Sequence, residues 1–246
     1  MPKLTLLDMV QDILSDMDSD EVNSISDTTE SEQVQTILKN TFYEIISSRD
    51  WPHLHKLIQL TPSITYPTQF ILTDSYSSID WIKYNVRDVN DTADKFRDLN
   101  YMSPKEFLDY LNSRKSSDSD IDTITVDNIK YFIQNDHYPQ YWTTFDDETI
   151  IMDSYDSAVD SNLQASKIQC WGYVEPAWAA TDAFVPDLPS KAFSYLLSEA
   201  KSTAFNALKQ TGNSKEEQKS RRQRVHLSRE KWRTNGGMQF PNYGRK

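Results

Sequence analysis

Leu6, Met9, Val10, Ile13, Leu14 and Met17 recur at steps of three and four, which places them on one stripe of a helix over 5–17. Thr5 is its N-cap, with Asp8 three positions on. A polar linker, DSDEVNSISDTTE, follows and is pinned by Val22 and Ile25. Thr29 and Glu32 form a capping box for a second helix over 30–49, whose Val34, Ile37, Leu38, Thr41, Phe42, Ile45 and Ile46 make a broad apolar face. Two adjacent amphipathic helices predict a hairpin.

After Trp51-Pro52 the period changes from helical to extended. Strands are predicted over 54–60, 69–72, 79–86, 129–133, 141–145, 149–152 and 167–174, the pair around Asp146-Asp147 as a hairpin. Within this region Ser103-Pro104-Lys105-Glu106 supplies an N-cap, an N1 proline and an N3 glutamate, so 104–113 reads as a helix that buries Phe107, Leu108 and Leu111. The run RKSSDSDIDT reads as a polar loop.

The segment EPAWAATDAFVPDLP leads the chain back to helix. Over 191–210 the seam is Phe193, Leu196, Leu197, Ala200, Ala204, Ala207 and Leu208, whose alanines let another helix approach closely. Gly212 suits a stop, and Ser214 with Glu217 opens a further helix over 214–233 as a capping box. That helix has only Val225, Leu227 and Trp232 as large apolar residues, so it needs a partner to be stable. The predicted fold is α+β: an amphipathic helical bundle of the N-terminal pair and the long C-terminal helix (1–52 and 186–212), an inserted β-rich sandwich or barrel-like domain with one internal helix (53–185), and an extended C-terminal arm of basic helix and tail (213–246).

Charge sharpens the last element. The 246 residues carry a net charge of −11, but from Lys201 onward twelve Lys or Arg face three Glu, a net +9, which leaves 1–200 at −20. An acidic body repels nucleic acid at a distance, whereas the basic helix can contact phosphates or the acidic surface of a neighbouring subunit. The tail GGMQFPNYGRK places Met238, Phe240, Pro241 and Tyr243 along an extended stretch, which favours insertion into a protein groove. The single Cys170 excludes an internal disulfide and reads as a small buried strand residue, and no apolar run is long enough to span a bilayer.

Candidate chemistry is sparse. Asp118, Asp120 and Asp122 imitate the first ligands of a calcium loop, but Thr123 and Ile129 stand where its glycine and glutamate belong, so the stretch reads as a solvated acidic loop. His53 and His55 offer two nitrogens without a further ligand pair nearby in sequence. With five glycines in the chain there is no phosphate-binding glycine loop, and no nucleophile elbow or H-E-x-x-H occurs. Acid pairs for glycoside hydrolysis stay open at this level, because the separation of carboxylates is not legible in sequence. Neither a catalytic residue, a metal nor a cofactor is implied.

The opening TLLDMVQDILSDM, the connection Glu21-Val22-Asn23-Ser24-Ile25 and the close Arg49-Asp50-Trp51 resemble the start of the tail tubular protein A and head-to-tail adaptor proteins of short-tailed bacteriophages. PDLPSKAFSYLLSEAKSTAF is similar to their Leu-Pro approach to a long helix that returns to the N-terminal pair. The resemblance covers 1–60 and 184–246. It implies a structural virion protein, not an enzyme, made in the host bacterial cytoplasm and located at the neck: a homo-oligomeric ring, typically of twelve copies, that joins the portal protein to the tail tube or nozzle, with no membrane partner.

On that reading the portal would be held by Arg221, Arg222, Arg224, Arg229, Trp232, Met238, Phe240, Pro241, Tyr243 and Arg245, and copies would pack through Leu6, Val10, Ile13, Phe42, Ile45, Phe193, Leu197, Ala200 and Ala204. Double-stranded DNA would pass through the ring without specific contacts during packaging and ejection. Carboxylates within a Debye length of about 8 Å of the duplex would keep it from adhering. The rival readings are a DNA-binding packaging factor that uses the basic helix, and a cell-wall hydrolase carried in a virion.

Overall fold

The computed structural model describes residues 3–72, 76–87, 92–126 and 128–234, with side chains as far as 228. The chain divides into two compact units, residues 1–53 with 176–246, and residues 54–175.

In the first unit, α1 (Leu6–Asp16) starts where expected. Thr5 and Asp8 exchange backbone-to-side-chain hydrogen bonds of 3.1 and 3.2 Å, and the amides of Leu6 and Leu7 donate to the carbonyls of Phe184 and Asp182. Helix α2 (Thr29–Ser47) is capped one residue earlier than the sequence suggests, by Thr28 paired with Ser31. The Ser31 hydroxyl also reaches the Ile25 carbonyl at 2.9 Å, a bond that selects Thr28 over its equally suitable neighbour. Helix α4 (Phe193–Leu208) packs on both, its Ala200 and Ala204 fully buried. Residues 175–191 are irregular rather than helical.

Lys201 fastens this packing. Its ammonium lies 2.9 Å from Asp12 and 2.6 Å from Asp16 of α1, with the lysine side chain nearly buried. Burial alone would push its pKa down; hydrogen bonds to Asp16 and Asp12 outweigh it and raise the group above its ordinary 10.5.

The second unit is built on one sheet. In chain order the strands are β1 (His55–Ile58), β2 (Leu60–Pro62), β3 (Gln69–Leu72), β4 (Tyr76–Asn85), β5 (Phe96–Tyr101), β6 (Ile121–Val126), β7 (Ile129–Gln134), β8 (Tyr141–Thr144), β9 (Thr149–Met152) and β10 (Ile168–Val174), with α3 (Pro104–Asn112) between β5 and β6. Eight of them pair in the order β1-β10-β4-β5-β8-β9-β3-β2, and β6 with β7 forms a separate hairpin. All pairs are antiparallel except β5 with β8.

The two edge strands, β1 and β2, are separated only by Gln59. A sheet whose opposite edges are tied within one residue has to curl towards closure, and the right-handed twist of each strand pair supplies the curl. One buried row, Ile58, Cys170, Ile82 and Leu99, runs register by register across four strands on the inner face. Gly172 sits at a bulge between β10 and β4, where a Cβ would stand 2.3 Å from the Ser78 carbonyl oxygen.

A buried ion pair ties the far side of this sheet. Arg114, just beyond α3, donates to the Asp153 carboxylate at 3.1 Å and to the carbonyls of Phe132 and Asp153, while the other Asp153 oxygen accepts from the amides of Gln140 and Tyr141, each at 2.9 Å. Both carboxylate oxygens of Asp153 thus accept hydrogen bonds, the condition under which a buried pair is tolerated.

These features correct the predicted fold class. Among the described residues there are five α-helices, but the chain is β-rich, and its largest element is the eight-stranded, mixed, nearly closed sheet rather than a helical bundle with an inserted domain. The long apolar stripes of α1, α2 and α4 give a strong signal, whereas short strands such as β5 and β6 give a weak one. The described part of the arm is also not extended: α5 (Ser214–Thr234) folds back along α4. Its cap is Asn213, whose side chain accepts from Glu216 at 3.2 Å, instead of Ser214.

Because the folded pKa of Lys201 is raised, its pairing contributes fully below pH 10.5 and is lost as pH rises through the folded value. Lys201→Met is therefore expected to lower Tm by a constant amount between neutral pH and pH ~9.5 and by progressively less above pH ~10.5. Thermal melts of both proteins across that range test this; a difference that stays constant at high pH would show that the ion pairs do not hold α4 to α1.

Candidate functional site

The segment that follows α2 builds the most distinctive arrangement in the first unit. Ser48 ends the helix, and Trp51 folds back so that its indole Nε1 donates to the Ile45 carbonyl at 3.1 Å, satisfying one of the acceptors that a helix end leaves open. The Arg49 guanidinium lies 3.6 Å over the centroid of the Trp51 ring, and its Nη1 donates to the Leu227 carbonyl of α5 at 2.6 Å. The Arg-x-Trp sequence is thus a clamp. The indole supports the guanidinium, and the guanidinium bonds α5.

Helix α5 meets α4 through a mostly polar seam. Ser220, Gln223 and Leu227 follow each other at steps of three and four, so they share one face. The buried Ser220 hydroxyl hydrogen-bonds the Glu199 carboxylate, Gln223 Nε2 lies 2.5 Å from Ser194 Oγ, and Leu227 is buried. The Gln223 Oε1 atom is buried without a hydrogen-bond partner.

Between the end of α2, the first turn of α4 and α5 lies a cleft of about 340 Å³. Ile45, Trp51 and Leu227 provide apolar walls, Tyr195 a phenol, and Arg49 and Arg224 two guanidinium groups. Burial pushes the Tyr195 hydroxyl pKa up, the Glu199 charge adds to this, Arg224 works against it, and Glu44 adds again. The phenol is therefore a neutral hydrogen-bond donor. Among the described lining residues there is no carboxylate or imidazole. The arrangement suits an anionic group carried on an apolar or aromatic body.

The residues assigned to the portal fall into three groups. Arg221 and Arg222 are exposed on the outer side of α5, with Arg221 Nη2 lying 2.5 Å from Glu217, and exposed Arg224 turns to the cleft. Arg229 and Trp232 lie within α5, but their side chains are outside the described residues, as are Met238, Phe240, Pro241, Tyr243 and Arg245 altogether. The nine residues assigned to packing between copies, Leu6, Val10, Ile13, Phe42, Ile45, Phe193, Leu197, Ala200 and Ala204, are all buried inside the chain itself. They form its own core, so any surface offered to another copy has to come from other residues.

The other candidates are held apart. His53 pairs with the Asp187 carbonyl at 3.0 Å and His55 with Asp80 at 2.7 Å, so the two rings serve different partners. Asp122 accepts from Asn135 and Tyr155, at 3.0 and 2.5 Å, and belongs to the β6–β7 hairpin rather than to a loop. No group of three metal-ligating side chains converges among the described residues. Burial, with a smaller contribution from Asp80, pushes the Cys170 thiol up to about 12, which leaves it protonated at neutral pH. Sequence reasoning singled out Arg49 and Trp51 as a motif but missed their action on α5; the missed partners Tyr195, Ser220 and Gln223 carry no pattern beyond their helical spacing.

The other connection used for the resemblance is also structural. The Asp27 carboxylate accepts from the amides of Asn23 and Ser24 at 2.7 and 2.8 Å, and Asp182 accepts from Ile25 at 2.9 Å, while Val22 and Ile25 are buried. No protein-family model and no curated protein matches the chain. Among the described residues no helix is long and apolar enough to cross a membrane.

Removing the Arg49 side chain deletes a stacked cation and a charged hydrogen bond, together worth about 2 kcal/mol. Arg49→Ala is expected to speed amide hydrogen exchange of residues 214–228 by about thirtyfold while leaving α1 and α2 unchanged. Equal acceleration everywhere, or none in α5, would contradict the clamp.

Proposed function

We propose that the protein is a structural virion component, a head-to-tail adaptor of the kind found in short-tailed bacteriophages, which joins the portal to the tail and forms part of the DNA channel as a homo-oligomeric ring. The observation that carries this reading is the mounting of a cationic helix on an acidic chain: Arg49 and the polar seam hold α5, with Arg221 and Arg222 turned outward, on a protein whose first 200 residues are net −20. Such a helix is an adhesive surface for an acidic protein partner, where long-range attraction speeds encounter and arginine forks fix register.

The connections around Asn23-Ser24 and Arg49-Asp50-Trp51, on which the resemblance rests, have defined roles in holding α1, α2 and α5. The described lining of the cleft, two guanidinium groups beside apolar walls and a phenol, supports binding of an anionic partner. The same exposed arginines support a second reading, a packaging factor that grips duplex DNA by its phosphates.

Two binding measurements separate these. Immobilised portal rings are expected to capture the full chain, and Arg221→Glu with Arg222→Glu to weaken capture about tenfold or more, as does removal of residues 235–246. Filter binding to duplex DNA near 0.15 M salt is expected to show negligible affinity. Tight duplex binding that falls steeply with salt, combined with portal capture indifferent to both changes, would replace the adaptor by the packaging factor.

A further inference from the structure

We infer that the cleft beneath α5 receives the tip of the β8–β9 hairpin from a second copy of this chain; the inference rests on the ring reading proposed above. The cleft needs an anion beside an apolar or aromatic group, and the hairpin tip presents both in four consecutive residues, Phe145, Asp146, Asp147 and Glu148, all exposed. Phe145 keeps 41% of its surface in solvent although its ring packs beside Tyr131, at 6.0 Å between centroids.

The tip is rigid before it binds. Asp146 accepts from the amides of Glu148 at 3.0 Å and Thr149 at 2.7 Å, the Asp147 amide donates to Thr144 Oγ1 at 3.0 Å, and Asp147 holds a left-handed φ of 58°. The Asp146 carboxylate is therefore committed to the turn, and Asp147 and Glu148 are the charges that the tip offers. A preordered knob loses little conformational entropy on docking, which favours insertion over contact by a loose segment.

Charge selects the partner. The described residues that line the cleft include Arg49 and Arg224 and no carboxylate, and exposed Arg222 extends the positive charge along α5, while Arg221 is paired with Glu217. The tip carries three acidic residues in succession and no basic one. Phe145 would enter between the walls formed by Trp51, Tyr195 and Leu227, and Asp147 or Glu148 would meet the Arg224 guanidinium at the mouth. Aromatic and arginine side chains in a pocket are the pairing that dominates stable interfaces.

The contact joins two different patches, so a pair of copies keeps one free cleft on the first and one free knob on the second. A repeated contact of that type propagates from copy to copy and makes a ring when the rotation closes. It also supplies the surface between copies that the nine buried core residues do not.

The test uses the full chain with three changes: Arg224→Glu in the cleft, Asp147→Arg with Glu148→Arg on the tip, and all three together. Circular dichroism first establishes that each folds. Sedimentation velocity over a concentration series near 0.15 M salt is expected to show self-association of the wild type, a rise of about tenfold or more in the midpoint for either reversal, and recovery in the combined variant. A wild type that stays monomeric to about 100 μM, reversals that leave the midpoint unchanged, or a combined variant as weak as the separate ones would each overturn the inference. Portal capture by the tip variant is read in parallel. Capture that persists while self-association falls upholds both proposals, whereas self-association that falls on reversal and recovers in the combined variant, with no portal capture by the wild type, removes the adaptor reading and leaves the contact standing.

Discussion

The basic helix depends on one guanidinium. The Arg49 guanidinium lies over the Trp51 ring and donates to the carbonyl of Leu227, and among the described residues the rest of the α5 seam is a set of polar contacts and one buried leucine. A helix of 21 residues with so few apolar side chains does not persist alone in water. The clamp therefore converts a charge-rich stretch into a fixed row of arginines, and it does so from the end of α2, whose own C-terminus the same tryptophan closes. Local helix termination and presentation of the cationic surface are one construction.

The β-rich unit follows a different constraint. Its two edge strands are consecutive in the chain and a single residue apart, so the sheet has to bring its ends together around the row Ile58, Cys170, Ile82 and Leu99. The Arg114–Asp153 pair is tolerated inside because both carboxylate oxygens accept hydrogen bonds and the guanidinium also donates to two carbonyls. The β8–β9 turn then stands on a braced sheet, which is why a short acidic tip can be rigid.

The sequence was most legible where local signals agreed. The capping boxes at Thr5–Asp8 and Ser103–Glu106 and the seven strands placed near β1, β3, β4 and β7 to β10 follow directly from pattern. It was least legible where tertiary contacts decide. Strand β5 reads FRDLNY and buries only Leu99, so it lacks the alternation of a half-buried strand, and β6 was masked by the Ser/Asp run before it. The fold class was misjudged because long amphipathic helices announce themselves while short strands do not. For the site, the arginines of α5 were visible as charge and Arg49-Asp50-Trp51 as a motif, but nothing in the spacing shows that residue 49 bonds residue 227. Nor could a stripe of apolar residues reveal that it faces the chain's own core instead of another copy.

The proposed role of the clamped cationic helix is to seat a ring of copies at one capsid vertex. Electron microscopy of the purified full chain mixed with portal-bearing capsids tests that claim most directly. The account predicts ring-shaped density at a single vertex of each particle, beneath the portal. Particles with no added density, or density spread along released DNA with bare vertices, would contradict it.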